Sequence, residues 1–131
     1  MTQLNNLLDE VTFNYGWVSN TKLKLSLNNK EYEVSCVFQS QKSQSISEEQ
    51  KQSLASFLNK QSEYEKKANA LLNGYITAEN ISNDEKIKPK TLLFKRDGSF
   101  AILADCSWDI ENGIAIILSP QQSIGIQDIF L

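Results

Sequence analysis

The chain has 131 residues, of which 40% are hydrophobic and 22% are charged, and its net charge is −3 at pH 7. This length and composition predict one globular domain spanning residues 1–131. The acidic balance disfavours nucleic-acid binding, which needs a basic face, and no apolar run approaches the ~20 residues of a membrane span. Since the N-terminus has no basic and apolar leader, we expect a cytoplasmic protein without membrane contact.

Histidine is absent from the chain. Its absence removes Ser-His and Cys-His nucleophile pairs, the commonest metal ligand and the usual proton shuttle near neutral pH. The sequence also contains no P-loop, no G-x-G-x-x-G and no C-x-x-C motif. We therefore predict a protein that is not an enzyme, with no catalytic residue, no cofactor and no metal centre.

Alternating apolar residues predict three strands before the first helix. The first strand covers Val11–Trp17, and the next two cover Leu23–Leu27 and Tyr32–Phe38. Asn28 and Asn29 both tolerate the left-handed backbone region, so they predict the turn of a hairpin between the second and third strands.

A helical block follows. Ser47 and Gln50 form a predicted capping box at its start. Beyond it, apolar and neutral residues step by three or four along one helix face: Leu54, Phe57, Gln61, Tyr64, Ala68, Leu71 and Tyr75. The pattern fits one long kinked helix or two helices over about 48–60 and 62–79. A second capping box at Ser62 and Glu65 favours two.

A connector over residues 80–90, with Asn83, Asp84 and Pro89 as breakers, leads into the last third of the chain. There, the stretch from Thr91 to Leu118 predicts a three-stranded antiparallel meander whose first strand ends before Asp97. Asp97-Gly98 and Asn112-Gly113 predict its two tight turns. Between them, alternation predicts one long strand over Ser99–Ile110.

The apolar run from Ile114 to Leu118 predicts a further strand, and Ser123–Gln127 predicts a short last one. The whole order is β-β-β-α-α-β-β-β-β. Strands that flank a helical block and are joined mostly by short turns predict the α+β class, with a mainly antiparallel sheet and the helices on one face. On the apolar phase of predicted strands, Cys36 and Cys106 are expected to be buried free thiols.

From residue 97 to the C-terminus the chain has no basic residue and carries five acidic ones: Asp97, Asp105, Asp109, Glu111 and Asp128. The long predicted strand places Asp105 and Asp109 on the face opposite Trp108. This acidic surface is interpreted as a solvated sheet face, as a binding surface for a cationic partner, or as a site for a hard cation such as Ca2+ or Mg2+. The candidate partner-binding residues are Asp105, Trp108, Asp109, Glu111 and Asp128.

The same third of the chain carries four short motifs in series. They are Pro89, Leu92-x-Phe94-x-x-Asp97-Gly98, Trp108-Asp109-x-Glu111-x-Gly113-Ile114 and Gly125-x-Gln127-Asp128, which together span about 40 of the 131 residues. This arrangement resembles a family of uncharacterised small bacterial α+β domains, some of which are immunity-type proteins that accompany toxins. The resemblance implies a bacterial intracellular protein with a protein-binding role, and it transfers no catalytic residue.

These observations predict a non-enzymatic protein that binds a partner protein. Its most concrete form is an immunity or antitoxin-type inhibitor that occludes a toxin domain of cationic character. The chain itself would be a monomer or a homodimer. The alternative is an accessory domain that binds a small ligand or a metal ion, and a carboxylate-dependent enzyme ranks last.

Overall fold

The computed structural model describes residues 3–82 and 84–131. Within them, the helices are α1 Gln3–Asp9, α2 Glu48–Asn59 and α3 Gln61–Ala78, and a short 3-10 helix covers Gln127–Ile129. The strands are β1 Val11–Phe13, β2 Trp17–Ser19, β3 Leu23–Leu27, β4 Lys30–Phe38, β5 Ile87–Phe94, β6 Phe100–Cys106, β7 Ile114–Ser119 and β8 Ser123–Ile126. None of the helices in this part of the chain is long and apolar enough to cross a membrane.

All eight strands belong to one sheet, in the order β1-β2-β4-β5-β6-β7-β8, and β3 pairs with the beginning of β4. Every pairing is antiparallel except that of β4 with β5, which runs parallel from Ser35 and Thr91 to Phe38 and Phe94. The two long helices form the connection between these parallel neighbours. The structure thus confirms the predicted α+β class and the mainly antiparallel sheet.

The main core lies between the sheet and the two long helices. Leu54, Phe57, Ala68 and Leu72 from the helices are buried against the same alternating sheet positions that the sequence marks as apolar. The ring of Phe100 packs against those of Phe57 and Tyr64, at centroid distances of 6.0 and 5.3 Å. Each fully buried leucine or phenylalanine stabilises the fold by roughly 2–3 kcal/mol. Both cysteines are buried and free, as predicted.

The N-terminal strands confirm one prediction and correct another. Asn28 and Asn29 adopt φ values of 50° and 66° in the turn between β3 and β4, as the hairpin prediction requires. The single first strand predicted over Val11–Trp17 is wrong, because Tyr15 adopts φ 58° and turns the chain back. The apolar alternation therefore continues through a tight hairpin that joins β1 to β2.

The helical block consists of two helices. Ser47 caps α2, and the complete capping box with Gln50 is present. The second predicted box is wrong, because α3 begins at Gln61 without a side-chain cap. The Glu65 carboxylate instead accepts a hydrogen bond of 2.7 Å from the backbone N–H of Ser26, which ties α3 to β3.

Two boundaries in the last third also differ from the prediction. The connector is shorter than predicted, because β5 already begins at Ile87 and includes Pro89 next to a shift in its register with β6. Proline is tolerated at such irregularities because they lack a regular ladder hydrogen bond. Asn83, one of the predicted breakers, lies outside the described residues. The long predicted strand is wrong beyond Cys106, where β6 ends, and Ile110 is 85% exposed.

On the sheet face away from α2 and α3, the C-terminal segment folds back over the strands. Phe130 is buried there in a small cluster with Leu93, Ala101 and Ala115. The two alanines leave room for the aromatic ring, and the ammonium of Lys95 lies 4.3 Å from its centroid. The burial of Phe130 docks the C-terminal segment onto this face of the sheet.

Candidate functional site

The predicted site residues lie around the end of the sheet where β6 finishes. Asp105, Glu111 and Asp128 are all exposed: Asp105 in β6, Glu111 in the loop before β7 and Asp128 in the 3-10 helix. The side-chain amide of Gln127 donates a hydrogen bond of 3.1 Å to the backbone carbonyl of Ala104. This contact holds the segment that carries Asp128 against the strand residue that precedes Asp105.

Asp109 differs from the other three carboxylates because its side chain holds the loop together. Its carboxylate accepts a hydrogen bond from the backbone N–H of Asn112 at 3.2 Å and two from the side-chain amide of Asn112 at 3.1 Å. The thiol of Cys106 points to the Asp109 carbonyl, with an S–O distance of 3.6 Å. Asp109 therefore does not share a strand face with Asp105, and its contacts give it a structural role in the loop.

Trp108 lies in the same loop and is half-buried against the main core. The helices cover that side of the sheet, whereas Asp105 alternates with buried Ala104 and faces the other side. The Nε1 atom of Trp108 is buried and has no hydrogen-bond partner in the described part of the chain. Packing alone therefore holds the indole ring in place.

A cleft opens beside Trp108, between the end of α3 and the connector that leads to β5. Its volume is about 540 Å3, and its lining residues are Tyr75, Glu79, Asn80, Ile81, Ser82, Glu85 and Trp108. We call it the Trp108 cleft. Glu85 accepts a hydrogen bond of 2.5 Å from the hydroxyl of Ser107, which also accepts one of 2.7 Å from the backbone N–H of Lys86. These bonds fix the connector to the loop after β6.

The charged residues that line this cleft, Glu79 and Glu85, are both acidic. Burial and then the charges of Glu79, Cys106 and Asp109 raise the pKa of Tyr75. Burial also raises the pKa of Cys106, although the carbonyl of Asp109 partly opposes the shift, and the nearby carboxylates add to the rise. The carboxylates of Glu79 at the end of α3 and of Asp109 in the loop after β6 therefore both act on the tyrosine that lines the cleft.

A second cavity lies at the other end of β6, beside the Asp97-Gly98 turn. Its volume is about 320 Å3, and hydroxyl groups of Ser53, Ser56 and Tyr64 line it together with the carboxylates of Glu49 and Asp97. Hydrogen bonds from Ser99 hold the pKa of Asp97 below its usual value. Across residues 3–82 and 84–131, no three His, Cys, Asp or Glu side chains are grouped to hold a metal ion.

Sequence reasoning missed three residues of the Trp108 cleft. The sequence pattern assigns Tyr75 to the apolar face of the helix, and it indicates that Glu79 and Glu85 are ordinary solvated charges. The usable signal is the spacing of Tyr75 and Glu79, which places both side chains on one helix face. Nothing in the chain order indicates that the connector returns to the same face with Glu85.

No family model, no curated protein and no solved structure matches this chain. The resemblance of the C-terminal third to small bacterial immunity-type domains therefore stays a prediction from its motifs.

Proposed function

We propose that this chain is a non-enzymatic bacterial protein that binds a partner protein, in the manner of an immunity or antitoxin-type inhibitor. Its acidic end of the sheet, formed by Asp105, Glu111 and Asp128, meets a basic surface of the partner and blocks it by steric occlusion. Such charges steer association and select the partner more than they add to affinity.

The observation that supports this proposal best is the lack of internal partners for these carboxylates. Asp105, Glu111 and Asp128 are exposed, and the one ion pair formed among the described residues joins Lys51 to Glu48 at 3.7 Å, far along the chain. The segment from residue 97 onward supplies no basic residue, and the basic residue that faces the cluster from the neighbouring strand is Lys88 of β5, which lies directly across the sheet from Asp105 without forming an ion pair. A basic surface of another protein would complement this field.

The test is affinity capture of the tagged protein from its native lysate, at low and at high salt, followed by measurement of binding to the purified partner. We expect one stoichiometric, basic partner whose association slows as salt rises, because salt screens charges beyond a Debye length of about 10 Å at 0.1 M. The triple variant Asp105→Asn, Glu111→Gln and Asp128→Asn should slow association by about tenfold or more.

The matched control changes net charge equally at exposed acidic positions elsewhere, as Glu10→Gln, Glu31→Gln and Glu63→Gln. This control should bind nearly as the wild type does. Equal slowing by both triple variants would show that only net charge matters and would contradict a localised acidic surface. An empty capture at low salt would contradict the proposed function itself.

The second candidate function is a small-ligand or metal-binding accessory domain. The cavity beside Asp97 favours its small-ligand form, because convergent hydroxyl and carboxylate groups are typical of sites for polar molecules. A thermal-shift screen of polar metabolites and divalent ions tests it. A ligand that raises Tm in the wild type but not in an Asp97→Asn variant would favour this candidate.

A further inference from the structure

We infer that the Trp108 cleft receives an arginine side chain of the partner. This inference rests on the proposed function, since it names the chemistry that the partner presents at one defined place. The cleft lies beside the acidic end of the sheet but on the helix side, so it is a separate contact from Asp105.

The walls of the cleft suit a flat cation. Tyr75 and Trp108 line it from α3 and from the loop after β6, and its volume of about 540 Å3 falls within the usual range for binding clefts. Tryptophan and tyrosine faces attract guanidinium groups through the ring quadrupole.

The charges of the cleft also call for a cation. Glu79 and Glu85 line it from two segments, no basic residue shares the lining, and neither carboxylate forms an ion pair within the described ranges. The Ser107 hydroxyl holds one oxygen of Glu85. Its second oxygen stays available to accept a hydrogen bond from a ligand.

The end of α3 supplies an independent reason. The carboxyl end of a helix carries a partial negative charge, which nearby basic side chains normally complement. The last turn of α3 has no basic residue, and Glu79 stands at its C-cap, where a negative charge is unfavourable. A cation bound in the cleft would offset both the helix dipole and the carboxylate.

Arginine fits this arrangement better than lysine does. Its planar guanidinium stacks on aromatic rings and offers several donors in one plane to two carboxylates. A lysine ammonium is more strongly hydrated and presents a point charge without a flat face.

The experiment follows the indole N–H signal of Trp108 by NMR while Nα-acetyl-arginine methylamide is added. Trp17 provides an internal reference, because its Nε1 donates a hydrogen bond of 2.6 Å to the Gln44 carbonyl at a distant site, and a Trp17→Phe variant assigns the two signals. We expect a saturable shift of the Trp108 signal alone. The isosteric but neutral citrulline derivative should leave it unmoved.

Variants then locate the binding. Glu79→Gln should weaken the binding of the arginine derivative by about fivefold. The double variant Glu79→Gln and Glu85→Gln should bind it too weakly for the Trp108 signal to saturate. Glu63→Gln, at the opposite end of the same helix, should bind as the wild type does. Equal shifts from arginine and citrulline, or tighter binding of the lysine derivative, would overturn the inference, as would an unmoved Trp108 signal.

The outcome separates this inference from the proposed function. If a basic partner is captured but Glu79→Gln leaves its affinity unchanged, the arginine site is wrong and the protein-binding function stands. If the arginine derivative binds in the cleft but no partner is captured, the function is wrong and the site stands.

Discussion

The side-chain amide of Gln50 donates a hydrogen bond of 3.0 Å to the backbone carbonyl of Phe94. The same amide donates a second one, of 2.8 Å, to the carbonyl of Gln39, and its oxygen accepts the N–H of Ser47 at 2.8 Å. Gln50 is fully buried. One side chain thus joins the start of α2 to the end of β5 and to the chain that leaves β4.

Replacing Gln50 with alanine should lower the free energy of unfolding by about 2–4 kcal/mol, because the Gln39 carbonyl loses this donor, the Phe94 carbonyl keeps only the N–H of Gln39, and the capping box opens. Urea unfolding measures the change. Gln52→Ala, two positions along the same helix and exposed, should stay within about 0.5 kcal/mol of the wild type. An equally small effect at Gln50 would mean that water replaces its hydrogen bonds.

Two glycines should respond to alanine with opposite signs. At Gly113, φ is +59° and an added Cβ would lie 2.6 Å from the carbonyl oxygen of Ala104, so Gly113→Ala should destabilise the protein by about 2 kcal/mol or more. At Gly74, inside α3, nothing lies within 4 Å of the added Cβ. Gly74→Ala should therefore raise stability by about 0.5–1 kcal/mol, since alanine loses less entropy in a helix. Thermal melts of the two variants test the pair of signs.

Tyr15 holds an unfavourable backbone conformation while its side chain is 97% exposed. Asparagine tolerates positive φ far better than a bulky residue does. Tyr15→Asn should therefore raise the free energy of unfolding by up to about 1 kcal/mol, and Tyr15→Val should lower it by a similar amount. Chemical denaturation of both variants measures these two changes in the free energy of unfolding. A loss of stability in the asparagine variant would show that the tyrosine ring contributes packing that its exposure does not suggest.

Stability should fall at alkaline pH because of Cys36. Burial raises its pKa from 9.0 to about 12, so between these values the unfolded chain loses a proton that the folded chain keeps. The stability that the protonated thiol contributes is complete well below pH 9 and declines as pH rises. At a pH of about 10.5 the free energy of unfolding should be lower by about 2 kcal/mol. Urea unfolding of the wild type and of Cys36→Ala, each measured below about pH 9 and at a pH of about 10.5, separates the loss of stability due to the Cys36 thiol from other effects of alkaline pH. A wild type that loses no more than the variant would contradict it.

Local signals in the sequence predict much of the fold. Two predictions are confirmed, the turn at Asn28 and Asn29 and the capping box at Ser47, because each feature depends only on neighbours within a few residues. The meander over Thr91–Leu118 is predicted for the same reason. These features need no knowledge of the distant chain.

The errors arise where side-chain identity does not report backbone conformation or long-range contact. Tyr15 continues the apolar alternation and so predicts a strand, although the chain turns at this residue. Alternation continues to Ile110, yet β6 ends at Cys106 and the Asp109 carboxylate then closes a loop onto Asn112. The charge pattern of the last third predicts an acidic surface, but the Trp108 cleft depends on the return of Glu85, which only the folded chain shows.

The parallel pairing of β4 and β5 has a consequence for how the protein folds. The chain passes through both long helices before β5 meets β4, and the two blocks of strands then share four residue pairs. The hairpin of β3 with β4 and the meander from β5 to β7 close short loops, whereas this junction must close a long one. We expect each block to gain structure early and their docking to form the kinetic barrier, so substitutions along the junction would slow folding more than equally destabilising ones at the sheet edges.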